Sequence, residues 1–276
     1  MRTTLFIFAL FFLASCNQTE TGSVSRGNIN AEAPYLWTSS FPKQLHISSA
    51  FNAQPSDITS IRAVGDAWTT AVENKKTFFT YTTGATEKTV GLGSTSALND
   101  GILGVYKATT WPYPDYPDAL AVTQIFAYRY NVGSSSEYVD IQEADIIMNY
   151  QNFHFDDPAV TYDYDLRTVM LHEMGHFLGL SHKSRFSNRN DSVMYPSIYN
   201  TEVKQTPKLI DVGDIASKYS ITLSGSGSPA IQGQGIKYEP KGPGAAVRII
   251  LELKANGDCV HYEDGAEILR HHIDKI

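Results

Sequence analysis

Alternation and helical spacing divide the first two-thirds of the chain into short elements. QLHISSAF (44–51) alternates apolar and polar side chains and carries β-branched positions, which predicts a strand. In SDITSIRAVGDAWTTAV, Ile58, Ile61, Val64, Ala67 and Trp68 recur at helical spacing, with Ser56 as the N-cap. KKTFFTYTT (75–83) returns to a strand pattern. Residues 84–118 are rich in Gly, Ser, Thr and Pro and predict loop with short strands. AVTQIFAYRY (121–130) and ADIIMNY (144–150) read as two more strands, with SSSEYVD marking a turn or the approach to the second. One helix is predicted over about 165–178. Another starts at Asp211 as N-cap, with Asp214 three residues on.

The pattern changes near residue 223. SGSGSPAIQGQGIKYEPKGPG has linker composition. VRIILELKANGDCVHYEDGAEIL then predicts a hairpin turning at Asn256-Gly257. A lone hairpin is marginal in water, so it is expected to pack on the main domain or on a partner.

Composition narrows the class. The chain has 276 residues, 42% of them hydrophobic and 18% charged, which fits a globular protein. A net charge of −7 gives no general attraction to nucleic acid. MRTTLFIFALFFLASC opens with one arginine and an apolar run from Leu5 to Ala14, too short to span a bilayer. It reads as an export signal. LASC (13–16) resembles the lipobox of bacterial lipoprotein precursors, which implies cleavage before Cys16 and lipidation of Cys16; the alternative is simple secretion. With Cys16 committed, Cys259 has no partner within the chain, and the mature protein folds without a disulfide. The expected organisation is a signal peptide (1–15), a flexible tether (16–35), a catalytic domain (36–221), and a linker with a small β-hairpin extension (222–276).

The densest chemistry lies in TVMLHEMGHFLGLSHKS (168–184), which holds three of the chain's eight histidines. His172 and His176 are four apart, so on a helix they share a face and can reach one ion. Gly179 can take a left-handed conformation, end the helix and turn the chain back, so that His182 supplies a third nitrogen. Three neutral imidazoles suit zinc and leave a fourth position for water. Glu173, beside the first ligand, is placed to take a proton from that water as it attacks a carbonyl carbon. Met170 and Met174 read as packing residues.

HEMGHFLGLSH resembles the zinc-binding consensus of the metzincin metallopeptidases, and DSVMYPS (191–197) resembles their Met-turn. GLSH followed by VMYP is most similar to the matrixins, the matrix metalloproteinase-like family. EADIIMNY (143–150), NFHFDD (152–157) and LIDVGDIASKYS (209–220) are similar to further family segments in the same order. The resemblance implies an α+β, zincin-like fold: a twisted mixed sheet with an edge strand along the cleft, an active-site helix and a Met-turn. It implies a zinc endopeptidase with Met194 as an apolar floor below the metal. Pro196 would shape the pocket for the residue after the scissile bond. Substrate would bind extended along strand 144–150. Asp156 and Asp157 stand where the family holds calcium ligands, which offers Ca2+ as a second ion.

The sequence also departs from the family. Met194 follows His182 by twelve positions, and the enlarged loop KSRFSNRNDS carries three basic residues. Nothing resembles the cysteine switch that keeps family members latent, so the enzyme is expected to be active on folding. A monomer is expected. The competing reading is an inactive surface binding module that retains the fold; it would have lost Glu173 or a histidine, and neither is lost.

Overall fold

In the computed structural model, residues 29–85, 98–159, 163–183, 189–224, 238–255 and 259–271 are described. The export segment, Cys16, most of the tether and the Asn256-Gly257 turn lie outside them. Among the described residues, no helix is long and apolar enough to cross a membrane.

The chain begins with β1 (Tyr35–Leu36) and β2 (Lys43–Ser48), then α1 (Pro55–Ala71) and β3 (Phe79–Ala85). Pro55 supplies the first helical residue, where its missing N–H costs nothing. The N-cap is therefore Gln54, and Ser56 lies inside the helix. Ile61, Val64 and Trp68 form the buried stripe of α1, as their spacing predicts.

Next come β4 (Leu103–Ala108), β5 (Ala119–Tyr130) and β6 (Tyr138–Asn149). A short pair follows, β7 (Phe155–Asp156) with β8 (Tyr164–Asp165), and then α2 (Leu166–Phe177) and α3 (Leu209–Lys218). Asp211 is not the N-cap of α3. It sits in the first turn and its carboxylate reaches back to the Lys208 N–H.

β9 (Ala245–Lys254), β10 (Cys259–Glu263) and β11 (Ala266–His271) complete the chain. The main sheet runs β11-β10-β9-β5-β6-β4-β2-β3, with β1 added to β6. β2, β3, β4 and β6 are mutually parallel, while β5 runs antiparallel to β6. The sheet is thus mixed, with α1 and α2 on one face, and has the zincin-like architecture the sequence implies. The main core fills the space between that face and the helices. A smaller aromatic cluster, including Trp111 and Tyr113, covers the other face of β5 and β9.

One expectation is met here and another changes. The predicted hairpin exists, because β9 and β10 are antiparallel neighbours whose register centres on the Asn256-Gly257 region. It packs on the main domain, as expected of a hairpin too small to stand alone, because β9 pairs with β5 from Ala119 to Arg129 and buries Ile249, Leu251 and Leu253 completely. A third strand, β11, follows a tight turn in which Asp264 and Gly265 both take positive φ, the geometry of a two-residue hairpin loop.

The change concerns the strand expected to receive substrate. Residues 144–148 pair with β5 on one side, and residues 146–149 pair with β4 on the other. β6 is an interior strand, and over 146–148 its backbone has no edge left for a peptide. The apolar run IIM is what an interior strand needs on both faces.

Candidate active site

The site is built on α2. Asp165 caps its start, accepting from the Thr168 N–H at 2.7 Å and the Thr168 hydroxyl at 2.6 Å. Trp68 of α1 holds the middle by donating its indole N–H to the Leu171 carbonyl. The helix ends in a Schellman turn: Gly179 N–H bonds the His176 carbonyl at 2.7 Å and Leu180 N–H bonds the Gly175 carbonyl at 2.9 Å. Gly179 has φ +84°, and a Cβ there would run into the Tyr35 carbonyl. Both facts demand glycine at this position.

That turn brings His182 back over the helix. His182 Nε2 lies 3.1 Å from His172 Nε2 and 2.9 Å from His176 Nε2. Among the described residues, these three form the one cluster of metal-ligating side chains. His172 and His176 are fully buried and His182 nearly so.

The donor set fits zinc. His172 Nδ1 donates to the Val193 carbonyl and His176 Nδ1 to the Leu180 carbonyl, both at 2.8 Å. Those bonds fix the tautomer and leave each Nε2 as a lone pair aimed at the same point. Burial, with His176 alongside, holds His172 well below its ordinary pKa, so its ring stays neutral and available. Zinc–nitrogen bonds of about 2.05 Å at tetrahedral angles set ligand nitrogens roughly 3.3 Å apart. The rings are within a few tenths of an ångström of that spacing.

Glu173 points from α2 toward β5, where Thr123 donates its hydroxyl to Oε2 at 2.5 Å. Its other oxygen, Oε1, is buried and has no protein partner. Burial pushes the carboxyl up to about 8, against the opposing effect of the Thr123 bond.

Met194 packs directly beneath α2. A Cβ on Gly175 would strike its sulfur, so the glycine lets the methionine approach the helix. The Met-turn is held by Asp211, whose carboxylate accepts from the Ser192 hydroxyl and from the Val193 N–H at 2.9 Å. Pro196 is buried beside it. Lys183 of the enlarged loop pairs with Asp214, and Arg189 pairs with Glu202. Residues 184–188 of that loop lie outside the described residues.

Asp156 and Asp157, the two residues offered as calcium ligands, have different partners. Asp157 is engaged by Arg167 at 2.6 Å and by Ser60. Asp156 is exposed and accepts from the Asp157 N–H. No third His, Cys, Asp or Glu side chain gathers with them among the described residues.

Three contributors escaped the sequence reading. Thr123, a lone hydroxyl in an apolar strand, anchors Glu173. Asp211 reads as a helix cap, yet it also fixes the Met-turn. His261 on β10 places Nε2 2.9 Å from His182 Nδ1, taking for the third ligand the role that carbonyls take for the other two. No local signal marks His261, because the contact joins residues 79 positions apart.

Three buried imidazoles, a buried carboxylate on the same helix and a methionine packed against it, on a zincin-like sheet, define a zinc-dependent hydrolytic site. Residues 66–220 match the matrixin peptidases, and the chain belongs to that family. No curated relative matches the chain.

Proposed function

We propose that the chain is a zinc endopeptidase in which Glu173 acts as general base and then general acid. The observation that carries this reading is the state of the Glu173 carboxylate. Thr123 holds one oxygen, and the other is buried without a partner on the residue next to the ligand His172. An orphaned buried acceptor needs a reason, and an acidic water is a sufficient one. Bound zinc would be held by His172, His176 and His182, and would supply Lewis acidity and acidify a water near neutral pH. Glu173 accepts the proton at Oε1 and returns it to the leaving amine. Thr123 keeps the carboxylate from rotating away. Met194 excludes water from below the imidazoles.

Replacing Glu173 with Gln keeps the shape and removes the base. Parent and variant are compared under one set of conditions, both as full chains and after cleavage of the exposed connection ahead of β9. The variant should bind one zinc per chain, and casein hydrolysis should fall about 10²–10⁴-fold. Hydrolysis at the parent rate would refute the assignment.

We also propose export and lipid anchoring through Cys16, on the strength of the MRTTLFIFALFFLASC pattern. Cys16→Ser should move the protein from the membrane fraction to the soluble fraction. Retention in the membrane would rule the lipid anchor out.

A further inference from the structure

A peptidase of this kind must let a polypeptide reach Glu173, yet Glu173, His172 and His176 are all 0% exposed. The elements that close the site on its β5 side are the C-terminal strands. Thr123, which touches Glu173, stands directly opposite Leu251 of β9. Leu251 stands directly opposite His261 of β10, which touches His182. Residues opposed across antiparallel strands share a face. Thr123, Leu251 and His261 therefore form one row across the site, with both ends in contact with its side chains.

β9 is seated as a strand in a groove. On one side it is antiparallel to β5 along most of its length. On the other, beyond the stretch paired with β10, Lys254 bridges in parallel to Ser197, and the Lys254 carbonyl accepts from the Ile198 N–H. The groove between β5 and residues 197–198 is thus one strand wide, and its walls are backbone hydrogen-bonding groups. Such an edge binds extended polypeptide by strand addition. Without β9, the edge of β5 beside Glu173 would be open to any such chain.

The seating is reinforced from β10. Arg129 of β5 is buried and pairs with both Glu137 and Glu263. The connection just ahead of β9 is exposed at Glu239, Pro240, Lys241 and Gly242. The occupant is therefore firmly docked at one end of an accessible stretch of chain.

We propose that residues 245–271 are a built-in occupant of the catalytic groove: β9 lies where a polypeptide must lie to reach Glu173, and the chain is latent until this segment is displaced. The proposal rests on the endopeptidase reading above. It replaces the expectation of an enzyme active on folding with latency imposed from the C-terminal side. A tethered strand competes at millimolar effective concentration, so free peptides meet a closed groove. Cutting the exposed connection removes that advantage.

A reversible lock tests this without deleting a strand that contributes to the core. Phe126 and Arg248 are directly opposed on β5 and β9. Opposed residues on antiparallel strands are about 4.5–5.5 Å apart at Cα, within disulfide reach. In a Cys259→Ser background, Phe126→Cys with Arg248→Cys lets oxidation hold β9 in place and reduction free it. A specific protease site inserted between Lys241 and Gly242 then cuts the connection.

The cut and reduced protein should hydrolyse a quenched peptide pool about 10-fold faster or more than the cut and oxidised protein. A synthetic peptide of residues 244–271 should restore latency. A chelator should strip zinc faster from the cut and reduced form, a readout independent of turnover. Equal turnover and equal zinc loss in the oxidised and reduced forms would overturn the proposal. If zinc is bound and the strand leaves on reduction, yet the reduced form still hydrolyses no peptide, it is the peptidase reading that fails.

Discussion

Asp211 offers the most direct test of how the metal site is supported. Its buried carboxylate accepts from Ser192, Val193 and Lys208. The Lys208 N–H lies at a helix start, where water can replace the carboxylate. The Val193 N–H cannot be rescued so easily, because Val193 is buried. In Asp211→Ala, that stranded donor costs about 1–3 kcal/mol. The lost support at the start of α3 adds about 1 kcal/mol. Asp211 is itself desolvated, as the burial-driven rise of its pKa indicates, and relief of that penalty offsets part of the loss. The net expectation is about 2–3 kcal/mol. Asp211→Asn keeps an acceptor for Val193 and should cost less than half as much.

The same change should reach the metal. The Val193 carbonyl accepts from His172 Nδ1, so a loosened Met-turn loosens the first ligand. Loss of such outer support typically lowers metal affinity about 10–100-fold. Urea unfolding of the zinc-free protein would give the stability change, and competition with a chromogenic chelator would give the affinity change. A stability loss under about 1 kcal/mol, with zinc affinity unaltered, would refute this account of Asp211.

Two other outcomes are expected. Gly175→Ala should force Met194 away from α2 and destabilise the fold by about 1–3 kcal/mol, read as a lower urea midpoint; an unchanged midpoint would show that the Met-turn yields freely. Burial lowers Lys218 to about 8, below its ordinary value, while its amine donates to the Tyr35 carbonyl. Between pH 8 and 10 the unfolded chain then binds more protons at this site than the folded one, so stability should rise across that window. Lys218→Met should flatten the rise, as followed by thermal unfolding at successive pH values.

The parts of the protein legible in its sequence are those set by local chemistry. The spacing of His172, His176 and His182, with Gly179 between the last two, depends on helix geometry and one left-handed residue. Both can be read within a dozen positions. The stripe of Ile61, Val64 and Trp68 is legible for the same reason. Strand order is not local. ADIIMNY shows that a strand is there and that it is apolar on both faces, which fits an interior strand as well as a cleft strand beside a hydrophobic wall. Only its pairing with β4 and β5 separates the two. The hairpin at 245–263 was likewise legible as a hairpin, while its partner β5 is more than a hundred residues away. His261 had no sequence signal because its meaning comes from that pairing.

β9 also carries a consequence for how the chain is assembled. Its partners on β5 precede it by 116–135 positions, so their contact closes one of the longest loops in the fold. Contacts of such separation form late, because loop closure must be met before pairing rewards it. Until then β5 is an unprotected rim whose unsatisfied amides can recruit another molecule's strand. The interval between synthesis of Arg129 and docking of Ala245 is therefore when this chain is most exposed to misassembly. A chaperone or a crowded neighbour would meet it at that rim.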